Sequence, residues 1–105
     1  MTVSYVLSSA AEKDLREIIR YTRKEWGDVQ TRSYIEKLTS GIERVAAAEG
    51  AFKDMASVYP GLRMIRCEHH YIFCLPRTSA PALVVAIIHE RMDLMVRLAD
   101  RLELG

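Results

Sequence analysis

One run near the C-terminal end of the chain is its most informative segment: Ala82-Leu83-Val84-Val85-Ala86-Ile87-Ile88-His89-Glu90-Arg91-Met92-Asp93. Seven apolar residues in succession predict a strand that is buried on both faces of a sheet. Four polar side chains stand at the exit of this strand, namely His89, Glu90, Arg91 and Asp93. Because rigid elements often present functional side chains at their ends, this junction is the first candidate for a site.

Two further strands are predicted just before this run. Residues 62–67 alternate between two faces after the Pro60-Gly61 turn, and the nearly all-apolar residues 71–75 are typical of a central strand. Short links to the third strand, at residues 83–88, favour an antiparallel meander. Residues 51–59 are interpreted as a connecting segment with room for one helical turn.

The N-terminal half of the chain predicts two amphipathic helices. Ser9 and Glu12 fit a capping box at the start of the first helix. Gly27-Asp28 ends this helix and begins the next, since glycine suits the residue after a helix and aspartate suits an N-cap. Apolar stripes at three- and four-residue steps mark both helices: Ala11, Leu15, Ile18, Thr22 and Trp26, then Tyr34, Ile35, Leu38, Ile42 and Val45. A two-residue break between such helices predicts an antiparallel helical hairpin.

A short β-prone run at residues 3–7 precedes the hairpin. A C-terminal helix is predicted after Asp93, which suits the N-cap position. Leu94, Met95, Leu98 and Leu102 recur on one face of that helix. The predicted order is therefore β-α-α-β-β-β-α. It describes an α+β fold in which the helical hairpin packs on a mainly antiparallel sheet. At 105 residues, we expect one domain spanning residues 1–105.

Composition and charge exclude several classes of protein. Fifteen basic and fourteen acidic side chains give a net charge of +1, whereas nucleic-acid binders usually carry a basic excess. We therefore expect no direct binding to nucleic acid. Apolar runs are far shorter than the ~20 residues that span a bilayer, so no membrane segment is expected. The first residues show no secretory signal, and the expected location is the cytoplasm.

Two cysteines, Cys67 and Cys74, flank the predicted hairpin of strands. In a cytosolic protein they are expected to be reduced, partly buried thiols. His69 and His70 lie between them, but neighbouring residues of a strand point to opposite faces, so at most one could join a metal site. We predict no metal site and no cofactor.

Several segments, taken in order, resemble the ParE branch of the ParE/RelE toxin superfamily. They are Ser9-Ala10-Ala11-Glu12-Lys13-Asp14-Leu15, Ile19-Arg20-Tyr21, Trp26-Gly27, Pro60-Gly61-Leu62-Arg63, His70-Tyr71-Ile72-Phe73 and Ile88-His89-Glu90-Arg91-Met92-Asp93. Each segment alone is weak, but together they span nearly the whole chain on a matching order of elements. The resemblance implies the toxin of a type II toxin–antitoxin module. Such a toxin binds and poisons DNA gyrase without hydrolytic chemistry, and a cognate ParD-like antitoxin neutralises it.

The alternative is the RelE-like branch, whose members cut mRNA on the ribosome. Such a ribonuclease needs a general base, an acid and cations for the phosphate. The residues available for these roles are Arg63, His70, His89 and Arg91. No lysine follows Lys53, however, whereas many RelE-like nucleases carry a lysine-rich catalytic face. We therefore predict no catalytic residues and no enzymatic activity.

The junction residues also have structural interpretations. A histidine that closes a buried strand usually bonds to local backbone, and we expect this of His89. Arg91 and Asp93 are predicted to form a local ion pair, with Asp93 also capping the last helix. Arg63 follows a turn, and its side chain is expected to face solvent or a carboxylate of the helices.

The residues predicted to contact a partner are Trp26, Arg63, Arg91, Met92, Met95 and Leu98. The methionines adapt to irregular partner surfaces, and Arg91 is a candidate for the surface that contacts gyrase. Aromatic rings on or beside an apolar stripe usually pack inward, so Tyr21 and Trp26 are predicted to belong mainly to the core. Trp26 ends its helix, which leaves part of its ring available to a partner.

Overall fold

A computed structural model of the chain describes residues 5–103, so Val3 and Ser4 of the first predicted strand lie outside the described residues. The elements in chain order are β1 (Tyr5–Leu7), α1 (Ser9–Ala46), β2 (Lys53–Asp54), β3 (Arg63–Cys67), β4 (His70–Leu75), β5 (Ala82–His89) and α2 (Leu94–Glu103). The strands form a five-stranded sheet in the order β1-β5-β4-β3-β2. Among the strands of residues 5–103, only β1 is parallel to its neighbour, β5. The predicted α+β fold with a mainly antiparallel sheet is confirmed.

The helical segment α1 is a hairpin that turns at Gly27. Its 38 residues would extend about 57 Å as one straight helix, yet the longest dimension of the molecule is 38 Å. Gly27 has φ 84° and ψ 176°, which ends one helix and starts another. We call residues 9–26 the first arm and residues 28–46 the second arm. The predicted break at Gly27-Asp28 is correct.

The first arm begins one residue earlier than the sequence suggests. Ser8, not Ser9, is the N-cap, and its hydroxyl accepts a hydrogen bond from the Ala11 amide at 3.0 Å. The Ser8 amide donates to the carbonyl of Val84 at 3.0 Å, so the same residue also ends the pairing of β1 with β5. This double role places the start of the helix directly at the end of the strand.

The hairpin covers one face of the sheet. Gly41 of the second arm lies so close to β3 that a Cβ atom there would be 3.2 Å from Cδ1 of Ile65. The core on this face is formed by Ala11, Ile18, Leu38, Ile42, Val45, Ile65, Cys67, Ile72, Cys74, Ala82, Val84 and Ile87. The buried residues of the hairpin avoid its tip, because none lies between residues 19 and 30. The tip therefore extends beyond the sheet.

The opposite face of the sheet is covered by α2. Its core contains Leu62, Phe73, Val85, Ala86, Ile88 and Leu98. Residues of β5 belong to both cores, which confirms that this strand is buried on both faces. The molecule thus has three layers: the hairpin, the sheet and α2.

One strand was not predicted. β2 consists of two exposed residues that pair with β3, and a tight turn follows in which the Tyr59 amide donates to the Met55 carbonyl at 3.1 Å. Two residues without an apolar pattern give no strand signal in the sequence. No helix among residues 5–103 combines the length and the apolar character that crossing a membrane requires.

Candidate functional site

A cleft of about 850 Å³ opens between the first arm of the hairpin, the ends of β4 and β5, and α2. It forms because the hairpin tip extends past the sheet and leaves the strand exits uncovered on one side. The residues that line it are Asp14, Glu17, Ile18, Tyr21, Thr22, Trp26, Gln30, Tyr34, Lys37, Glu68, His69, His70, Ile87, Ile88, His89, Arg91, Met92, Arg97 and Arg101. Five residues that the sequence singled out as contact or ribonuclease candidates line this cleft: Trp26, His70, His89, Arg91 and Met92.

A hydrogen-bonded pair, Tyr34 and His70, ties the second arm to β4 in the wall of the cleft. The Tyr34 hydroxyl lies 2.6 Å from Nδ1 of His70, and its oxygen accepts a bond from the His69 amide at 3.1 Å. The Tyr34 hydroxyl is the acceptor in the bond from His69, so its own proton remains free to be donated to Nδ1 of His70. Burial raises the pKa of Tyr34, which keeps this hydroxyl protonated.

His70 is held neutral. Burial lowers its pKa to about 4, and the neighbouring His89 and His69 act in the same direction. Its ring meets the His89 ring edge to face, with 5.0 Å between centroids. A histidine that stays uncharged near neutral pH, with Nδ1 already bonded, contributes structure to this wall rather than a positive charge.

Glu90, directly after β5, forms hydrogen bonds with two side chains. Its carboxylate bonds to Nδ1 of His69 at 2.8 Å and to the Arg66 guanidinium. The bond to His69 is the main cause that lowers the pKa of Glu90. Its amide also donates to the His69 carbonyl at 2.8 Å, so side chain and backbone together fix this strand exit.

The segment after β5 is a structural junction, as expected. Nδ1 of His89 accepts a bond from the Arg91 amide at 3.1 Å, which confirms the local backbone role predicted for this histidine. Asp93 caps α2, since its Oδ1 accepts from the Val96 amide at 3.3 Å. Among the described side chains, however, Arg91 and Asp93 do not form the predicted ion pair. The carboxylate of Asp93 is turned toward the first amides of the helix instead.

An ion pair closes one end of the cleft. Nη2 of Arg101 lies 2.6 Å from Oδ1 of Asp14, and Nη1 lies 2.8 Å from Oδ2. The same two side chains bond to the edge of β5: Asp14 accepts from the Ile87 amide at 3.0 Å, and Arg101 donates to the Val85 carbonyl at 3.0 Å. We call these two residues the clasp.

The prediction that Tyr21 and Trp26 belong mainly to the core is wrong. Each side chain is 63% exposed, because both lie on the hairpin tip, where no sheet residue covers the apolar stripe. The rim of the cleft therefore presents two aromatic rings, together with Met92, which is 47% exposed. Met95, the second residue of α2, is also exposed.

Two of the predicted partner contacts lie elsewhere. Leu98 is fully buried between α2 and the sheet, so it is a core residue and not a contact. Arg63 does not face solvent or a carboxylate as predicted. Its guanidinium donates to the carbonyls of Val45 and Ala46 at the end of the second arm and lies over the Phe52 ring.

Of the four residues considered for a ribonuclease, Arg63 lies apart from the other three. The register pairs Arg63 with Cys74 at one end of the β3–β4 ladder and Cys67 with His70 at the other, a separation of about 13 Å along the strands. His70, His89 and Arg91 share the cleft, whereas Arg63 does not line it. Cys67 and Cys74 are buried thiols, and residues 5–103 contain no group of three or more side chains arranged to hold a metal ion.

Sequence reasoning missed three residues of this site: Asp14, Arg97 and Arg101. Asp14 looks like a solvent-facing residue of the first arm, and no local signal indicates its contact with α2. The helical period could have indicated the two arginines, since they are four residues apart and hence on one face of α2, which lines the cleft.

Comparisons with known proteins agree on one family. A family model described as the ParE toxin of the type II toxin–antitoxin system, parDE, matches residues 5–94. The chain is 68% identical over 100 residues to Toxin ParE of Escherichia coli, covering 95% of this chain and 97% of that protein. It is 32% identical over 93 residues to Toxin ParE1 of Mycobacterium tuberculosis H37Rv, covering 89% and 95%. A solved structure, the chromosomal ParDE TA system from P. aeruginosa, shares the fold with a TM-score of 0.65 at 16% identity, covering 83% of this chain and 95% of that one.

Proposed function

Because the chain belongs to the ParE toxin family of type II toxin–antitoxin systems, we propose that it inhibits DNA gyrase by binding it. A cognate ParD-like antitoxin neutralises the toxin. The identity of 68% to a ParE toxin over nearly the full length of both proteins carries this proposal, since the sequence resemblance to that family implies gyrase as the target.

The surface chemistry of the cleft rim supports a role in binding. Trp26 and Met92 expose large apolar side chains in the cleft, and Arg91 lines it with them. Met95 is exposed nearby in the sequence, at the start of α2. Tryptophan and arginine are the residues that most often anchor protein interfaces. We assign these four residues to the partner-contacting surface, and we remove Arg63 and Leu98 from it because their side chains are engaged within the fold.

Binding accounts for the site better than hydrolysis does. A ribonuclease needs a base, an acid and a cation around one phosphate, but Arg63 lies far from the histidines. His70 already has its Nδ1 bonded to Tyr34, and Nδ1 of His89 accepts from backbone. The matching relatives are ParE toxins, which disfavours the RelE-like alternative of ribosome-dependent mRNA cleavage.

We propose the cytoplasm as the location of this protein, because the proposed partners act there. Gyrase acts on DNA in the cytoplasm, and we place the toxin there with its antitoxin. The net charge of +1 provides no field that would attract nucleic acid by itself, so we expect contact with the enzyme rather than with free DNA.

A supercoiling assay with purified toxin and purified gyrase tests the proposal. We expect loss of supercoiling or accumulation of cleaved DNA, restored activity when antitoxin is added first, and intact RNA in a parallel incubation with translating ribosomes. Normal gyrase activity at excess toxin would contradict the proposal. Cleaved mRNA would support the RelE-like alternative, and induction in cells without any growth defect would indicate a member that has lost toxicity.

A further inference from the structure

The outward face of the first arm carries a row of positive charges. Its members follow at helical steps of three and four, so they lie on one face of the helix, and each of them is exposed. They are Lys13, Arg16, Arg20, Arg23 and Lys24. We call these five residues the basic stripe. Ala11 and Ile18, on the opposite face of the arm, pack on the sheet, so the basic stripe points away from the rest of the molecule.

Most of these charges have no acidic partner. Among the side chains described for residues 5–102, the one member of the stripe in a salt bridge is Arg23, which lies 3.1 Å from Asp28 across the turn. Glu12 stands in the first turn of the helix, where the helix dipole favours a carboxylate, and Glu17 lines the cleft. The other four cations are unpaired among the same side chains, so positive charge dominates this face.

The spacing of the charges matches that of a DNA strand. From Lys13 to Lys24 the stripe extends about 16 Å along the helix axis, because each residue adds about 1.5 Å. Each strand of duplex DNA presents one phosphate about every 3.4 Å along its axis, hence about five over this length. The stripe carries a similar number of cations over the same distance.

An anionic membrane fits this face less well. A helix that lies on a lipid surface needs exposed apolar side chains beside its cations, so that they enter the acyl region. The two large apolar side chains that the first arm exposes, Tyr21 and Trp26, line the cleft instead. The basic stripe is thus a purely electrostatic surface, which favours a phosphate backbone.

We propose that the basic stripe binds the phosphate backbone of duplex DNA without sequence preference. Exposed charges act within about 8 Å at physiological salt, so the net charge of +1, on which the expectation of no nucleic-acid binding rests, does not report them. So few phosphate contacts bind weakly by themselves, and the toxin is not held on free DNA at physiological salt.

The weak contact gains importance next to a bound enzyme. Where gyrase already holds both the DNA and the toxin, the phosphates are at high effective concentration, and the stripe adds to the affinity. This step rests on the proposed function. The binding of DNA by the stripe does not.

The affinity of the purified toxin for a fluorescently labelled duplex, measured over a range of salt concentrations, tests the inference. The logarithm of the binding constant should fall against the logarithm of the salt concentration with a slope of about −3 to −4, since each phosphate contact contributes about −0.9. Arg16→Gln together with Arg20→Gln should reduce the magnitude of the slope by about 2 and weaken binding at low salt by about tenfold. Both residues are exposed, so the variant should fold normally, which circular dichroism checks.

The matched control removes two exposed positive charges elsewhere on the molecule. It combines Lys53→Gln in β2 with Arg77→Gln between β4 and β5. Its affinity for DNA should stay within about twofold of the wild type, because these charges lie off the stripe. No binding by the wild type at low salt, or equal losses in the two variants, would overturn the inference. Binding to vesicles of anionic lipid by a wild type that does not bind DNA would overturn it as well.

Gyrase assays separate this inference from the proposed function. The stripe variant should need several-fold more toxin before cleaved DNA accumulates, whereas its binding to gyrase without DNA should not change. A wild type that leaves gyrase unaffected but binds DNA through the stripe would refute the proposed function and uphold the inference. A wild type that inhibits gyrase but binds DNA no better than the stripe variant would do the reverse.

Discussion

Arg101 of α2 and Asp14 of the hairpin form a two-bond ion pair, at 2.6 and 2.8 Å, across the edge of β5 beyond its pairing with β1 at residues 82–84. Their side chains are only 22% and 14% exposed. Through the Val85 carbonyl and the Ile87 amide, the pair supplies the hydrogen bonds that a neighbouring strand would otherwise make. One contact thus joins all three layers and closes the end of the cleft.

Replacement of Asp14, one of the two clasp residues, should strongly destabilise the fold. We expect Asp14→Ala to lower the free energy of unfolding by about 2–4 kcal/mol, because it leaves a mostly buried guanidinium unpaired and the Ile87 amide without an acceptor. Denaturant titration measures this change. The control is Asp28→Ala, which breaks the exposed Arg23–Asp28 pair and should cost at most about 1 kcal/mol. Equal losses in the two variants would contradict the role of the clasp.

Stability should depend on pH through His70. Its pKa is about 4 in the folded protein and 6.5 in the unfolded chain, so the unfolded state binds the proton first as the pH falls. Folding stability should therefore decrease between pH 6.5 and pH 4, by up to about 3 kcal/mol. The pKa of Glu90 is lowered from 4.5, so this carboxyl contributes only below that pH. Denaturant titrations across this range should show the slope in the wild type and its loss in His70→Asn. An unchanged slope in the variant would assign the effect to other groups.

The turn of the hairpin should require glycine at position 27. Its φ of 84° and ψ of 176° lie in a region that only glycine adopts readily, and a Cβ atom there would meet no other group. We expect Gly27→Ala to cost about 1–3 kcal/mol through backbone strain alone. A synthetic chain with D-alanine at position 27 should retain wild-type stability, since the D-residue favours positive φ. A D-alanine chain as unstable as the L-alanine variant would point to a steric cause instead.

Leu98 and Met95, three positions apart in α2, should differ in how strongly their replacement by alanine affects stability. Leu98 is fully buried, so Leu98→Ala should lower the free energy of unfolding by about 2–5 kcal/mol. Met95 is 55% exposed, so Met95→Ala should change the free energy of unfolding by less than about 0.5 kcal/mol. The same variant should inhibit gyrase more weakly. Thermal unfolding and the supercoiling assay distinguish the two roles. A stable Leu98→Ala variant would contradict the assignment of this residue to the core.

Trp26 should matter for binding but not for stability. Its ring is 63% exposed on the hairpin tip, so Trp26→Ala should leave the free energy of unfolding within about 0.5 kcal/mol of the wild type. The matched core substitution Phe73→Ala should cost about 3–5 kcal/mol, because that ring is 1% exposed. Denaturant titration of both variants checks the contrast. A large loss of stability in Trp26→Ala would show instead that this ring packs in the core.

Most of the fold could be predicted because local patterns report local structure. The apolar run of β5, the break at Gly27 and the cap at Asp93 each appear in the sequence as a short, specific signal. β2 gave no such signal, since two exposed residues become a strand only when β3 lies beside them. The site was predicted less well: Arg91 is exposed, but Trp26, expected mainly in the core, is exposed too, and Leu98 and Arg63 are engaged within the fold.

The sequence by itself determined the order of the elements other than β2, the hairpin break and the resemblance to a toxin family, because these depend on neighbours along the chain. The tertiary structure alone decided which apolar residues are covered. The sheet covers the first arm only up to Ile18, so the same helical stripe is core at Ile18 and exposed at Trp26. It also decided that Asp14 and Arg101, 87 positions apart, meet at a strand edge. Their contact follows from the packing of layers, which no local pattern specifies.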